Sequence, residues 1–129
     1  MSRKSVLVVD DSATFRQLLS MSLQRVDGIT ESDIAEAENG EEAMRKIAEG
    51  SFSLVITDIR MPKMDGLELV SRVRGELKRG DLPIIIISTK GDEADIEKGM
   101  SLGANGYLSK PISMGRLREM VLHLTGQGE

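Results

Sequence analysis

The strongest constraint on the fold of this chain is the alternation of short, β-branched apolar runs with longer segments of helical periodicity. Val6–Val9, Leu54–Ile56 and Ile84–Ile87 are almost wholly apolar, and weaker runs of similar length lie at Ile34–Ala37 and Gly106–Ser109. Runs of this kind are typical of strands that are covered on both faces, as in a parallel sheet. The chain therefore offers five candidate strands.

Each apolar run is followed by a segment whose apolar residues recur at three- and four-residue steps, as on one face of a helix. Shorter helices are predicted at Glu41–Ala48 and Glu93–Leu102, which end at glycines that favour helix termination. Successive strand–helix units predict an α/β fold with a parallel sheet and helices on both of its faces. The clearest helical stripes are Phe15, Leu18, Leu19, Leu23 and Val26; Leu69, Val70, Val73 and Leu77; and Met114, Leu117, Val121 and Leu124.

Length and composition limit the possible functions. The 129 residues suit one domain, with residues 1–4 and 125–129 expected to fray at its ends. The chain has no cysteine, which excludes thiolate catalysis and cysteine-based zinc sites, and its net charge of −4 argues against nucleic acid as a partner. We expect a cytoplasmic protein without membrane insertion, because neither a signal peptide nor a membrane-spanning run is recognisable.

Polar residues stand at the carboxyl ends of four of the predicted strands. Asp10 and Asp11 follow the first strand, Asp58 ends the third, Ser88 ends the fourth and Lys110 follows the fifth. Each residue alone has a simpler interpretation as a helix cap, a turn former or a surface lysine. In an open parallel sheet, however, these strand ends lie along one edge, where ligands bind. The pattern therefore predicts that the polar residues meet in one cleft.

Three carboxylates in one cleft repel one another, and a bound cation would relieve that repulsion. All-oxygen ligands favour Mg²⁺ or Ca²⁺ over zinc and copper, and the small number of ligands favours Mg²⁺. A lysine and a hydroxyl opposite the carboxylates suit a phosphate group. Since no glycine-rich phosphate-binding motif is present, these parts together predict phosphoryl transfer at the acidic cluster.

With these residues in place, the chain resembles the receiver domain of two-component response regulators. The resemblance covers essentially the whole chain and implies a flavodoxin-like fold: a doubly wound, five-stranded parallel sheet in the order 2-1-3-4-5, with five helices in a three-layer α/β/α arrangement. It is carried by VLVVDDS at Val6–Ser12, LVITDIRMPKMDG at Leu54–Gly66, LPIIIISTK at Leu82–Lys90 and GANGYLSKPI at Gly103–Ile112.

The resemblance implies a role for each residue of the acidic cluster. Asp58 would be the nucleophile that takes a phosphoryl group from a phosphohistidine of a histidine kinase or histidine phosphotransfer protein. Asp11, Asp58 and the backbone carbonyl of Arg60 would bind Mg²⁺ directly, and Asp10 would act largely through water. Such a domain is a phosphoacceptor switch and catalyses only its own phosphorylation and dephosphorylation.

The resemblance also implies how the signal would leave the cleft. Lys110 would pair with the phosphoryl group through a cis Lys110–Pro111 bond, Ser88 would turn its hydroxyl toward that group, and Tyr107 would follow inward. A downstream effector protein would then bind the face formed by the fourth helix, fifth strand and fifth helix. Four apolar residues are candidates for that face, although their helical spacing favours a place in the core: Ile96, Met100, Met114 and Met120.

Three residues around the expected site are less typical of the family. Thr89 stands where the family usually has a very small residue, so its bulk is expected to narrow the mouth of the site. Arg60 and Lys90 are basic residues that flank the cleft, and we hypothesise that they alter the lifetime of the phosphoryl group. The simpler interpretation is that both are solvated surface cations.

Several alternatives stay open at this point. A phosphohydrolase of the haloacid-dehalogenase type would show D-x-D at its nucleophile, whereas Ile59 and Arg60 follow Asp58. A phosphorylation-independent interaction module and a phosphate sink share the fold. We expect a stand-alone regulator of the chemotaxis or motility type, with a receiver excised from a larger response regulator or hybrid kinase as the alternative.

Overall fold

The computed structural model describes residues 5–89 and 91–126. Strands and helices alternate along these residues, as the apolar pattern predicts, and a single turn of 3₁₀ helix at Glu31–Asp33 precedes the second strand. The elements are β1 (Val6–Val9), α1 (Ala13–Leu23), β2 (Ile34–Ala37), α2 (Gly40–Glu49), β3 (Leu54–Asp58), α3 (Gly66–Gly75), β4 (Ile84–Ser88), α4 (Glu93–Leu102), β5 (Gly106–Ser109) and α5 (Met114–Leu124).

The strands form one parallel sheet of five strands in the order β2-β1-β3-β4-β5. The chain starts near the middle of the sheet, moves to one edge, and returns past β1 to build the other side. Both the predicted fold class and the predicted strand order are therefore confirmed. The reversal of direction between β1 and β3 creates the crevice in which such sheets bind ligands.

Side chains of the central strands alternate between two apolar layers, because successive residues of a strand point to opposite faces. Leu7 and Val9 lie in the layer that α2 and α3 cover, whereas Val6 and Val8 lie in the layer that α1 and α5 cover. Every residue of β1, β3 and β4 is buried. This double coverage explains why these strands read as continuous apolar runs.

The ends of the helices correct some predicted boundaries. Helix α1 ends at Leu23, so Val26 is buried beyond the helix, and Leu77 likewise lies beyond α3. The predicted fraying concerned residues 1–4 and 125–129, of which 1–4 and 127–129 lie outside the described residues. Thr125 continues the hydrogen bonding of α5, since its N–H donates to the carbonyl of Val121 at 3.0 Å.

Across residues 5–89 and 91–126, none of the helices has the length and apolar character required to cross a membrane.

Candidate functional site

Three carboxylates meet at the carboxyl ends of β1 and β3. Asp10 and Asp11 follow β1, and Asp58 is the last residue of β3, which pairs with β1 in parallel register. One oxygen from each carboxylate lies within 4.8 Å of the others. Asp10 and Asp58 are buried, whereas Asp11 is exposed at the mouth of the cluster. The predicted convergence of these residues is confirmed.

Asp10 has one oxygen that the fold leaves without a hydrogen bond. Its Oδ1 accepts the backbone N–H of Ser12 at 2.8 Å, and Ser12 in turn caps α1 by accepting the N–H of Phe15. Its Oδ2 is buried and has no hydrogen-bond partner among the described residues. A buried carboxylate oxygen is costly to leave without a hydrogen bond, which makes this oxygen a natural contact for a cation or its water. The residues present thus fit a hard cation with oxygen ligands.

The Lys110 side chain reaches the cluster from the carboxyl end of β5, an edge strand of the sheet. Its Nζ lies 3.4 Å from Oδ2 of Asp58 and 3.6 Å from Oδ2 of Asp10. The ring of Phe15 closes another side of this ammonium group, with its centroid 4.1 Å from Nζ, which is a cation–π distance. The peptide bond between Lys110 and Pro111 is cis, as predicted. The ammonium group of Lys110 therefore contacts two carboxylates inside the cleft.

The surroundings of Asp58 raise the pKa of its carboxyl group. Burial, followed by the nearby charge of Asp10, raises the pKa of Asp58 from its usual 3.8 to about 6, although Lys110 opposes the rise. The carboxyl is therefore mostly ionised at neutral pH, yet it is poorly solvated. A carboxylate of this kind is a better nucleophile and metal ligand than one on an open surface.

The start of α3 fixes the backbone on which Asp58 stands. Gly66 donates its N–H to the carbonyl of Ile59 at 2.8 Å. A Cβ at Gly66 would lie 2.9 Å from Cα of Ile59 and closer still to the carbonyl oxygen of Asp58. Only glycine allows α3 to approach the strand end this closely. Gly66 is therefore required here by close packing against the end of β3.

The two predicted switch residues, Ser88 and Tyr107, lie on β4 and β5. Ser88 ends β4 and is buried, and its Oγ lies 3.5 Å from the carbonyl of Leu108 and 3.4 Å from Oγ of Ser109 on β5. Tyr107 is 40% exposed on β5. Among the described residues, neither side chain forms a hydrogen bond with Asp58, and their predicted movement toward it stays a prediction.

The predicted site-tuning residues are placed differently from the simple expectation. The backbone N–H of Arg60 points to Oδ1 of Asp58 at 3.4 Å, but its guanidinium group binds Asp92 and Asp95 at the start of α4. Thr89 is exposed, and both its N–H and its hydroxyl bind Asp92. Lys90 lies outside the described residues. Arg60 is thus ion-paired while its side chain stays 65% exposed, and its effect on the phosphoryl lifetime stays a prediction.

The sequence patterns did not single out Phe15 or Asp92 as parts of the site. Phe15 belongs to the apolar stripe of α1, and that pattern does not indicate a contact with Lys110, which lies in a distant loop. Asp92 precedes Glu93 and so reads as the N-cap of α4, yet its carboxylate makes no capping bond to the helix. The presence of an aspartate three residues after Thr89 was the available signal, because short polar side chains often bond to nearby backbone.

Comparison with known proteins agrees with this geometry. Residues 6–122 match the response regulator receiver domain family. The chain belongs to this family. A chemotaxis protein CheY homolog of Campylobacter jejuni is 39% identical to this receiver domain over 124 residues, which are 95% of this chain and 93% of the relative. Chemotaxis protein CheY1 of Helicobacter pylori is 37% identical over 125 residues, which are 96% and 98% of the two chains.

The fold of this receiver domain is also similar to that of solved relatives. Chemotaxis response regulator CheY4 of Vibrio cholerae superimposes with a TM-score of 0.83 at 32% identity, over 95% of this chain and 99% of that one. A receiver domain is a signalling switch and not a conventional enzyme, so the phosphohydrolase alternative is disfavoured. Receiver domains bind Mg²⁺ at an acidic pocket, and Asp10, Asp11 and Asp58 form an acidic cluster that could hold a metal ion.

Proposed function

We propose that this receiver domain accepts a phosphoryl group on Asp58 from the phosphohistidine of a histidine kinase or a histidine phosphotransfer protein. The observation that carries the proposal is the three-carboxylate cluster, whose buried Asp10 oxygen lacks a hydrogen bond while Lys110 lies beside Asp58. A structural cluster of acidic residues would be expected to satisfy that oxygen internally. A phosphoryl-transfer site leaves it for a metal ion or its water.

In the proposed reaction, an ionised oxygen of Asp58 attacks the phosphorus atom of the phosphohistidine. A new P–O bond forms, the P–N bond breaks, and its electron pair leaves with the imidazole, which takes a proton from water. Lys110 lies 3.4 Å from Oδ2 of Asp58, so its ammonium group can pair with the incoming phosphoryl oxygens. Positioning and charge neutralisation supply most of the rate in reactions of this kind.

Asp11, Asp58 and the backbone carbonyl of Arg60 would hold Mg²⁺, with Asp10 acting largely through water. The bound ion would neutralise charge that builds up on the phosphoryl oxygens. The chain's own residues prepare this site: Asp10 is fixed by the N–H of Ser12, and the N–H of Arg60 orients Asp58. A carboxylate cluster held in this way needs little rearrangement when a cation binds.

The proposed output is a change of shape on the face formed by α4, β5 and α5. Phosphorylation would draw Ser88 toward Asp58 and allow Tyr107 to turn inward, and an effector protein would bind that state more tightly. Tyr107 and Met100 are partly exposed on this face, at 40% and 39%. The other apolar candidates, Ile96, Met114 and Met120, pack against the core, as their helical spacing favoured.

The two chemotaxis proteins described above are matched over 93% and 98% of their own length, which supports a stand-alone regulator of chemotaxis in the cytoplasm. The alternatives are a phosphorylation-independent interaction module, a phosphate sink with the same chemistry, and a receiver that belongs to a larger regulator.

The proposal is tested by intact-mass analysis after incubation with phosphoramidate or acetyl phosphate and Mg²⁺. We expect a phosphoryl adduct on the wild type, none on Asp58→Asn, and none when Mg²⁺ is chelated. Asp81→Asn is the matched control, because Asp81 is exposed just before β4, at the opposite edge of the sheet, and should be modified like the wild type. A wild type that stays unmodified would favour the interaction module.

A further inference from the structure

Asp92 is a buried residue at the start of α4, and its carboxylate binds the loop that precedes this helix. It is 4% exposed, occupies the N-cap position of α4, and makes no capping bond to the helix. Its Oδ2 instead accepts the N–H of Thr89 at 2.8 Å and the Thr89 hydroxyl at 3.0 Å. A helix cap alone would not require this arrangement. The carboxylate therefore fixes the loop between β4 and α4.

The other oxygen of Asp92 joins this loop to the loop that follows Asp58. Oδ1 accepts Nε and Nη2 of Arg60 at 3.0 and 2.7 Å, and Nη2 also contacts Asp95 at 2.9 Å. We refer to Arg60, Thr89, Asp92 and Asp95 as the Arg60–Asp92 clamp. The hydrogen bond from the Thr89 N–H, followed by that from Arg60, lowers the pKa of Asp92. Asp92 is thus charged at neutral pH, and the clamp is an ion pair with additional hydrogen bonds.

The Arg60–Asp92 clamp contacts the phosphoacceptor site at two points. On one side, the N–H of Arg60 lies 3.4 Å from Oδ1 of Asp58, so the clamp and the nucleophile share one short loop. On the other side, Ser88 directly precedes Thr89, and its hydroxyl faces β5. The peptide that follows the switch serine is therefore held by a carboxylate that lies outside the acidic cluster.

We propose that Asp92 is a positioning residue for the switch: it holds Thr89, and through it Ser88, in the resting arrangement. Drawing Ser88 toward a phosphoryl group on Asp58 would then require the Thr89 bonds to Asp92 to be released. The same release would free the start of α4, where Asp92 and Asp95 lie, which gives the proposed effector face a second connection to Asp58 besides Tyr107. This inference rests on the proposed function of Asp58.

The inference differs from a merely structural role in the direction of its effect. If Asp92 only stabilised the fold, its loss would weaken every state of the protein or leave the switch unchanged. If Asp92 favours the resting state, its loss must increase the affinity for a phosphoryl analogue, since that ligand selects the other state. Net hydrogen-bond energies of the usual size predict an increase of about three- to tenfold.

The test measures the binding of beryllium fluoride, a phosphoryl analogue, with Mg²⁺ to full-length wild type, Asp92→Asn and Glu93→Gln. Tyr107 is the only tyrosine and the chain has no tryptophan, so tyrosine emission reports this one position. We expect about three- to tenfold tighter binding by Asp92→Asn. Glu93→Gln is the control, because it removes a neighbouring exposed charge outside the clamp, and it should bind like the wild type.

A second readout needs neither metal nor analogue. Amide hydrogen exchange of Thr89 in EDTA should be at least several-fold faster in Asp92→Asn, because its N–H loses a charged acceptor. Thr89→Val, which removes the hydroxyl bond but keeps the size of the side chain at the mouth of the site, should tighten beryllium fluoride binding by about twofold even if Asp92→Asn folds poorly.

The outcomes distinguish the positioning role of Asp92 from the proposed phosphorylation of Asp58. A wild type that binds the analogue, with variants that bind it no more tightly, would overturn the role of Asp92 and leave the proposed function intact. A wild type that does not bind the analogue would overturn both. Tighter binding together with faster Thr89 exchange is the result that supports the clamp.

Discussion

Replacement of Asp58 by asparagine should stabilise the metal-free protein at neutral pH, although it removes the proposed nucleophile. Asp58 is buried beside Asp10, and burial is the main reason why its pKa is raised from 3.8 to about 6. The ionised carboxylate therefore destabilises the folded protein. Asparagine has nearly the same shape but no charge, so it relieves both the desolvation and the repulsion.

The magnitude follows from the difference between the two pKa values. A rise from 3.8 to about 6 corresponds to roughly 3 kcal/mol between the charged and neutral forms. Part of this gain is lost in the variant, because Lys110 keeps Asp10 as a partner but loses Asp58 at 3.4 Å. We expect Asp58→Asn to increase the free energy of unfolding by about 1–2 kcal/mol at pH 7.5, or to raise Tm by roughly 3–8 °C.

The pH dependence fixes the sign of this effect. Because the pKa of Asp58 is raised on folding, the folded wild type binds more protons than the unfolded chain between about pH 4 and pH 6. The stability contributed by protonated Asp58 is thus present at low pH and is lost as the pH rises through about 6. The advantage of Asp58→Asn should accordingly be largest above about pH 7 and should shrink toward zero near pH 4.

The assay is urea unfolding of wild type, Asp58→Asn and Asp81→Asn in EDTA at pH 7.5 and at pH 4.5. Asp81→Asn removes an exposed carboxylate far from the cluster and should change the free energy of unfolding by less than about 0.5 kcal/mol. An Asp58→Asn protein that is no more stable than wild type at pH 7.5 would refute the reasoning. So would a gain of the same size at both pH values.

Three further predictions follow from other contacts of the site. Mg²⁺ should raise the Tm of the wild type in a concentration-dependent manner and should have much less effect on Asp58→Asn; thermal unfolding over a Mg²⁺ titration measures this, and equal shifts would contradict it. Gly66→Ala should destabilise the fold by about 1–3 kcal/mol in urea unfolding, because its Cβ would press on the backbone of Ile59. The control is Gly75→Ala, where a Cβ meets no atom within 4 Å. Phe15→Leu should slow phosphorylation by phosphoramidate by about two- to fivefold. Phe15→Tyr should not slow it, because the tyrosine ring keeps the cation–π contact with Lys110. Equal rates in both variants would show that the ring is irrelevant.

The strands and the acidic cluster could be predicted from the sequence because both depend on local and periodic patterns. A strand that is covered on both faces, such as Ile84–Ser88, needs apolar residues at nearly every position, and that requirement is visible along the chain. In a parallel sheet, every strand ends at the same edge. The position of Asp58 after an apolar run therefore placed it near Asp10 without any knowledge of distances.

Helix boundaries and side-chain directions were predicted less well, since they depend on contacts between distant residues. Val26 continues the apolar stripe of α1 in the sequence, yet the helix ends at Leu23 and Val26 is buried from a turn. Arg60 was interpreted either as a residue that tunes the site or as a solvated cation. Neither interpretation included the contact of its guanidinium group with Asp92, which lies 32 residues further along the chain.

The sequence by itself determined a parallel sheet with helices on both faces and the set of residues at its carboxyl edge, because hydrophobic periodicity and strand direction leave little freedom there. Only the tertiary structure decided which way those residues point. Ser88 faces β5, Phe15 packs against Lys110, and Asp92 holds Thr89, because each orientation is the outcome of competition among partners from separate elements. Such competition depends on distances of a few tenths of an ångström, which no pattern along the chain records.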